Sequence, residues 1–185
     1  AYPLTVEFLQ TNLEKSFYSL LWISILLSMM LATEDIFLED FSDGTLEQTI
    51  ISNSSFPLLI ANKIFIYWLM IGVPISFLSF LFSLSLTQDF NLSLSIFPLS
   101  VVSSYIFLNL FVFGNALSLN KGSVLGAIIT MPLALPVLII LGKSVIAIEF
   151  GINYVEFLLL LLGILSIIIT IVPFIISYVI KAHLE

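Results

Sequence analysis

From Phe56 to Thr87 the sequence runs for 32 residues with a single charge, Lys63. A helix at the surface of a water-soluble fold needs a polar face opposite its apolar stripe, and this run has none. As one upright helix it would measure about 48 Å, against a bilayer hydrocarbon core of about 30 Å. The run therefore reads as two parts. Ser54 or Ser55 as N-cap and Pro57 in the first turn open a piece lying in the interface. Lys63 then snorkels to the surface, and residues 64–86 span. Gly72 and Pro74 should kink that span, because proline removes a backbone bond and clashes with the carbonyl four residues back.

The rest of the chain is equally apolar. Charged residues are 9% of it and hydrophobic residues 60%, with a mean hydropathy of +1.21, whereas soluble domains carry about 25% charge. In lipid the backbone must satisfy itself, so an all-α polytopic membrane protein is expected. Five spans are predicted in one domain covering 1–185, at about 16–33, 64–86, 95–118, 124–142 and 157–180. Residues 1–15 read as a polar-face loop or short helix. Pro132 and Pro136 break the fourth span and are hinge candidates, as are Gly72 and Pro74 in the second. Residues 143–156 could lie in the interface or dip back into it. Asn109 and Asn115 are expected to hydrogen-bond across helices, and Met29 and Met30 to pack.

There is no cysteine, so disulfides and thiolate chemistry are excluded. Arginine is absent too, and five lysines make no basic patch for nucleic acid. No glycine-rich phosphate loop is present, so any ATP hydrolysis belongs to another chain. The spans contain no paired aspartates, no serine–histidine arrangement and no histidine-rich metal set. His183, the single histidine, lies in the polar tail. The expectation is a non-catalytic subunit that binds no cofactor or metal itself.

Six of the twelve carboxylates crowd between the first two spans: Glu34, Asp35, Glu39, Asp40, Asp43 and Glu47. One charge at the bilayer centre costs roughly 2.5–3.5 kcal/mol on insertion scales, so this loop, 34–55, must stand in water. Asp43-Gly44 is a turn signal. Thr45-Leu46-Glu47-Gln48 has the form of a capping box, with the Thr45 hydroxyl accepting from the Gln48 backbone N–H. Leu46 and Ile50, with Phe41 and Ile51, offer an apolar side to the short amphipathic helix that follows. With five spans, the acidic loop, the Asn120-Lys121-Gly122 turn and the C-terminal tail share a face. Lys63, Lys121 and Lys181 lie there against Lys15 and Lys143 opposite, which favours calling it cytoplasmic or matrix.

An ordered set of residues resembles a family. Glu34, Phe37, Asp40 and Asp43-Gly44-Thr45-Leu46-Glu47-Gln48, then Lys63, Trp68 and Gly72-Val-Pro74, look like cytochrome c maturation protein B. That family supplies the membrane subunit of an ABC-type haem exporter complex. Leu119-Asn-Lys121-Gly122 and Pro132-Leu-Ala-Leu-Pro136 continue the likeness. Asp35 and Leu38 stand where family members carry arginines, which makes this loop more acidic. The resemblance also implies a further membrane helix before Ala1, six in all.

The resemblance implies that a separate ATPase subunit, similar to cytochrome c maturation protein A, docks on the loop. Glu34, Phe37, Asp40, Asp43, Gly44, Thr45, Leu46, Glu47 and Gln48 would form the coupling surface. A second copy of the chain, a haem-handling membrane partner and a haem chaperone would complete the complex. ATP would be bound by the partner, and haem would be the complex's cargo. The implied work is haem export, or release of the loaded chaperone, in a bacterial inner membrane or, second, a mitochondrial one. An inert structural subunit of a larger assembly, or the permease of another ABC exporter, is the alternative.

Overall fold

Between Leu4 and Ala32 there is neither glycine nor proline, and the chain forms one helix, α1, over Tyr2–Ala32. Pro3 stands in its first turn, where a missing N–H costs nothing. The polar residues before Ser16 thus continue the helix instead of forming a separate loop. The computed structural model describes residues 2–34, 36–45, 48, 50, 55–119 and 123–184. All regular structure among them is helical. The order continues with α2 (Leu38–Ser42), α3 (Phe56–Thr87), α4 (Phe90–Leu117), α5 (Ser123–Glu149) and α6 (Val155–Leu184). Helices α3 to α6 are long and apolar enough to cross a membrane, and α1 adds the shorter apolar stretch Ser16–Ala32. This is an all-α polytopic membrane protein. The turn at Asn120-Lys121-Gly122 lies outside the described residues.

Helix α3 does not break at Lys63, as a separate interfacial piece would require; it is continuous from Phe56. Ser55 occupies the N-cap position, although its hydroxyl makes no capping bond. The expected irregularity appears as a π turn over Trp68–Gly72, where the Val73 N–H reaches back to the Trp68 carbonyl. Pro74 follows in the first turn of the resumed α-helix. A π turn inserts one extra residue into the ladder, which accommodates a residue that cannot donate.

Only Gln88 and Asp89 separate α3 from α4, with Gln88 in the left-handed region at φ 54°. The Asp89 carboxylate caps α4, accepting from the N–H groups of Asn91 and Leu92 at 2.9 and 3.2 Å. That cap starts α4 well before Ser95. Helix α4 is the hub: 72% of its apolar window is buried, against 22–28% for α3, α5 and α6. It packs against all four other long helices.

Helix α5 continues unbroken through Pro132 and Pro136. Both prolines are exposed while Ala134 is buried, so the rings share the outer face and the inner packing is undisturbed. Residues 143–149 extend this helix and do not form a re-entrant element. Gly151, at φ 67°, ends it, with the Ile152 N–H donating to the Ala147 carbonyl at 2.8 Å. Asn153 then opens α6 through a bond from the Val155 N–H.

Two contacts hold α4 to its neighbours in different ways. Gly114 and Gly126 meet backbone to backbone: a Cβ on Gly114 would lie 2.5 Å from the Gly126 carbonyl oxygen, and the reverse is equally close. Ser118 and Thr130, each one turn on, bond back to the carbonyls of Gly114 and Gly126. Between α3 and α4, by contrast, buried serines meet across the contact, Ser76 with Ser104 at 3.4 Å and Ser83 with Ser93. Tyr18 of α1 joins it, 3.0 Å from the Ser83 hydroxyl, which lies 3.1 Å from that of Ser93. Met29 is fully buried in the core, and Met30 packs against it.

Candidate functional site

The acidic loop begins where α1 runs out of helical partners. Thr33 hydrogen-bonds back to the Met29 carbonyl through its hydroxyl at 3.0 Å. Its own carbonyl accepts from the Asn115 side chain of α4 at 2.6 Å. Asn115 thus makes the cross-helix bond its position suggests. Asn109 instead donates to Tyr105 within its own helix at 2.8 Å, since a polar side chain deep in lipid can turn back on its own backbone.

Ile36 and Phe37 enter the core, each 3% exposed. They anchor α2, whose first bond runs from the Phe41 N–H to the Phe37 carbonyl at 2.9 Å. Phe41 and Ile50 rest on the core. Gly44 turns the chain at φ 71°, a left-handed conformation that a side chain would strain. Its carbonyl accepts from the Gln48 N–H at 3.2 Å. The capping box read at Thr45-Leu46-Glu47-Gln48 falls partly outside the described residues. Leu46, Glu47 and Ile51 lie outside the described residues, as does Asp35.

The outer surface of the loop is polar. Glu34, Asp43, Thr45 and Gln48 are exposed, with Leu38 beside them. Asp40 is different: its carboxylate pairs with the Lys63 ammonium of α3. The same ammonium stands 5.6 Å from the centre of the Phe37 ring, a cation–π contact. A small cavity of about 20 Å³ between Glu34, Phe37, Leu38 and Asn115, Ser118, Leu119 puts the loop and the end of α4 on one face. His183 sits in the last turn of α6, its Nδ1 2.8 Å from the Val179 carbonyl oxygen.

Of the predicted coupling residues, the structure brings Phe37 and Asp40 together through Lys63. It leaves Glu34, Asp43, Thr45 and Gln48 facing out. Gly72 and Pro74 lie at the π turn, on the helix that carries Lys63, whereas Pro132 and Pro136 lie on α5. The Asp40–Lys63 pairing was missing from the sequence reading. Its signal was the isolation of Lys63, since a lone cation in a long apolar run needs an anion as well as water. The arrangement is an exposed polar surface carrying Glu34 and Asp43 beside the buried Ile36 and Phe37.

Comparison with known proteins bears on the whole chain. The family described as CcmB protein matches residues 2–183. A protein of Haemophilus influenzae named Heme exporter protein B is 29% identical over 166 residues, 89% of this chain and 75% of the relative. A Pseudomonas aeruginosa protein of the same name is 32% identical over 161 residues, 85% of this chain and 72% of the relative.

Proposed function

The chain belongs to the CcmB protein family, and on that premise we propose that it is the membrane subunit of a haem exporter complex, driven by a separate ATPase. The ATPase docks on the exposed Glu34, Asp43, Thr45 and Gln48, with Leu46 and Glu47 contributing to its recognition. Phe37, Asp40 and Gly44 fix the shape of that face. The chain itself hydrolyses nothing; ATP is bound and cleaved by the partner, and haem is cargo. A second copy of the chain, a haem-handling membrane protein and a haem chaperone complete the assembly, in a bacterial inner membrane.

The observation that carries this reading is the anchorage of the loop. A loop kept wet merely by its charges needs no base. This one buries Ile36 and Phe37 and is tied to α3 through Asp40 and Lys63, so force applied to its outer face reaches a membrane helix. The test is co-purification of an ATPase in mild detergent. Wild type is compared with a form in which Glu34, Asp35, Glu39, Asp43 and Glu47 are made Gln or Asn while Asp40 is kept. ATPase activity on wild type alone is the expected result. Equal activity on both forms would remove the loop as docking site, and none on either would remove the transporter reading. In a complex that does form, Glu47→Lys leaves insertion intact and uncouples ATP hydrolysis from output.

A further inference from the structure

Helix α3 is gripped at two places five residues apart. At Lys63 it is held by the loop, through Asp40 and the Phe37 ring. At Trp68 it is held by α4: the indole N–H donates to the Ser104 hydroxyl at 3.1 Å, and the ring lies 4.8 Å from that of Tyr105. Phe65 flanks both rings, 5.8 Å from Trp68 and 6.4 Å from Tyr105. The π turn starts at Trp68 itself.

The indole has a made seat. A Cβ at Gly72 would run into its Cδ1 and come within 2.9 Å of its Nε1. So the five-membered ring of the indole occupies the space that a side chain at residue 72 would take. From below, the Ser76 hydroxyl donates to the Gly72 carbonyl at 2.7 Å and stands 3.4 Å from the Ser104 hydroxyl. A proline kink requires Pro74 and a register change; it does not require a glycine beneath a tryptophan or an acceptor on the next helix. The extra residue of a π turn can be exchanged for ordinary α-helical bonding with little loss of hydrogen bonds, which makes such a turn a two-state element.

We propose that the Trp68–Gly72 π turn, latched by Trp68 on Ser104, is the relay that converts movement of the acidic loop into rotation of one half of α3 against the other. A pull on the loop is carried through Asp40 and Lys63 into Phe56–Tyr67. The π turn absorbs it, the indole leaves Ser104 and Tyr105, and Val73–Thr87 stays on α4 through its serines. The inference rests on the reading of the loop as the docking site, but its first test needs no partner.

Trp22 and Trp68 are the two tryptophans of the chain. Among the described residues the buried Trp22 indole nitrogen has no hydrogen-bond partner, so Trp22→Phe costs no bond there and leaves Trp68 as sole reporter. In that background, in lipid nanodiscs, Asp40→Asn and Lys63→Gln are compared with Asp43→Asn on the exposed side of the loop. The expected result is a shifted Trp68 emission and amide exchange about tenfold faster over 68–76 in the first two, with no change in the third. Having both partners of the pair covers the case where one variant fails to fold. Unchanged emission and exchange in Asp40→Asn and Lys63→Gln overturns the relay, as does an equal effect of Asp43→Asn. With a co-purified ATPase and a non-hydrolysable ATP analogue, Trp68 emission should shift in wild type and not in Asp40→Asn. A bound ATPase that leaves Trp68 unmoved also overturns it. If the first test succeeds and no ATPase binds, the relay stands and the docking proposal falls.

Discussion

Helix α4 meets α5 and α3 in opposite ways. Against α5 it offers Gly114, and two backbones touch with no side chain between them. Against α3 it offers serines, the Tyr105 ring and an acceptor for Trp68. Backbone contact has no give, because any change of distance or rotation meets a carbonyl. A contact of hydroxyls and stacked rings can slide and re-form. The lesson is that a membrane bundle without a hydrophobic driving force between its helices can set stiffness locally, by choosing small residues or polar ones. In this chain the stiff contact lies away from the helix that receives the loop, and the yielding contact lies on it.

The comparison breaks most severely at Gly126. Leucine there has to displace the α4 backbone, and a loss of about 3 kcal/mol is expected. Unfolding titrated with SDS in mixed micelles should show it, and a change below about 1 kcal/mol would mean the glycine contact is not tight. Next is Asn115→Leu, which frees the Thr33 carbonyl and should cost about 1 kcal/mol in the same titration. Trp68→Phe keeps the ring but loses the bond to Ser104, for about 0.6 kcal/mol, the usual worth of such bonds in membranes. A cost as large as that of Gly126→Leu would make both contacts equally stiff. Smallest is Lys63→Met. Its ion pair is about a third exposed on each side, so solvent screening leaves roughly 0.5 kcal/mol or less. Its effect belongs in the motion of α3 rather than in stability, read by exchange at the π turn.

The spans were legible because an apolar run of helical length has few other readings. Gly72 and Pro74 announced an irregularity, though not that it would be a π turn with an indole seated on it. Helix ends were less legible. Asp89 and Gly151 act through single bonds, and a capping carboxylate looks like any loop acid until the N–H groups that reach it are known. The loop's outward carboxylates followed from charge alone. The pairing of Asp40 with Lys63, and of Gly114 with Gly126, depends on how helices far apart in sequence dock, which local pattern does not carry. Pro132 and Pro136 read as breaks in the fourth span, whereas α5 runs through both.

The buried serines have one more consequence. Ser76, Ser79, Ser93, Ser100 and Ser104 each donate to a carbonyl of their own helix, three or four residues back. A helix that satisfies most of its buried serines on its own backbone enters lipid with few unmet donors before its neighbour covers it. The contact between α3 and α4 can therefore be assembled after insertion. Membrane entry and final packing then become separate events in the biogenesis of this protein.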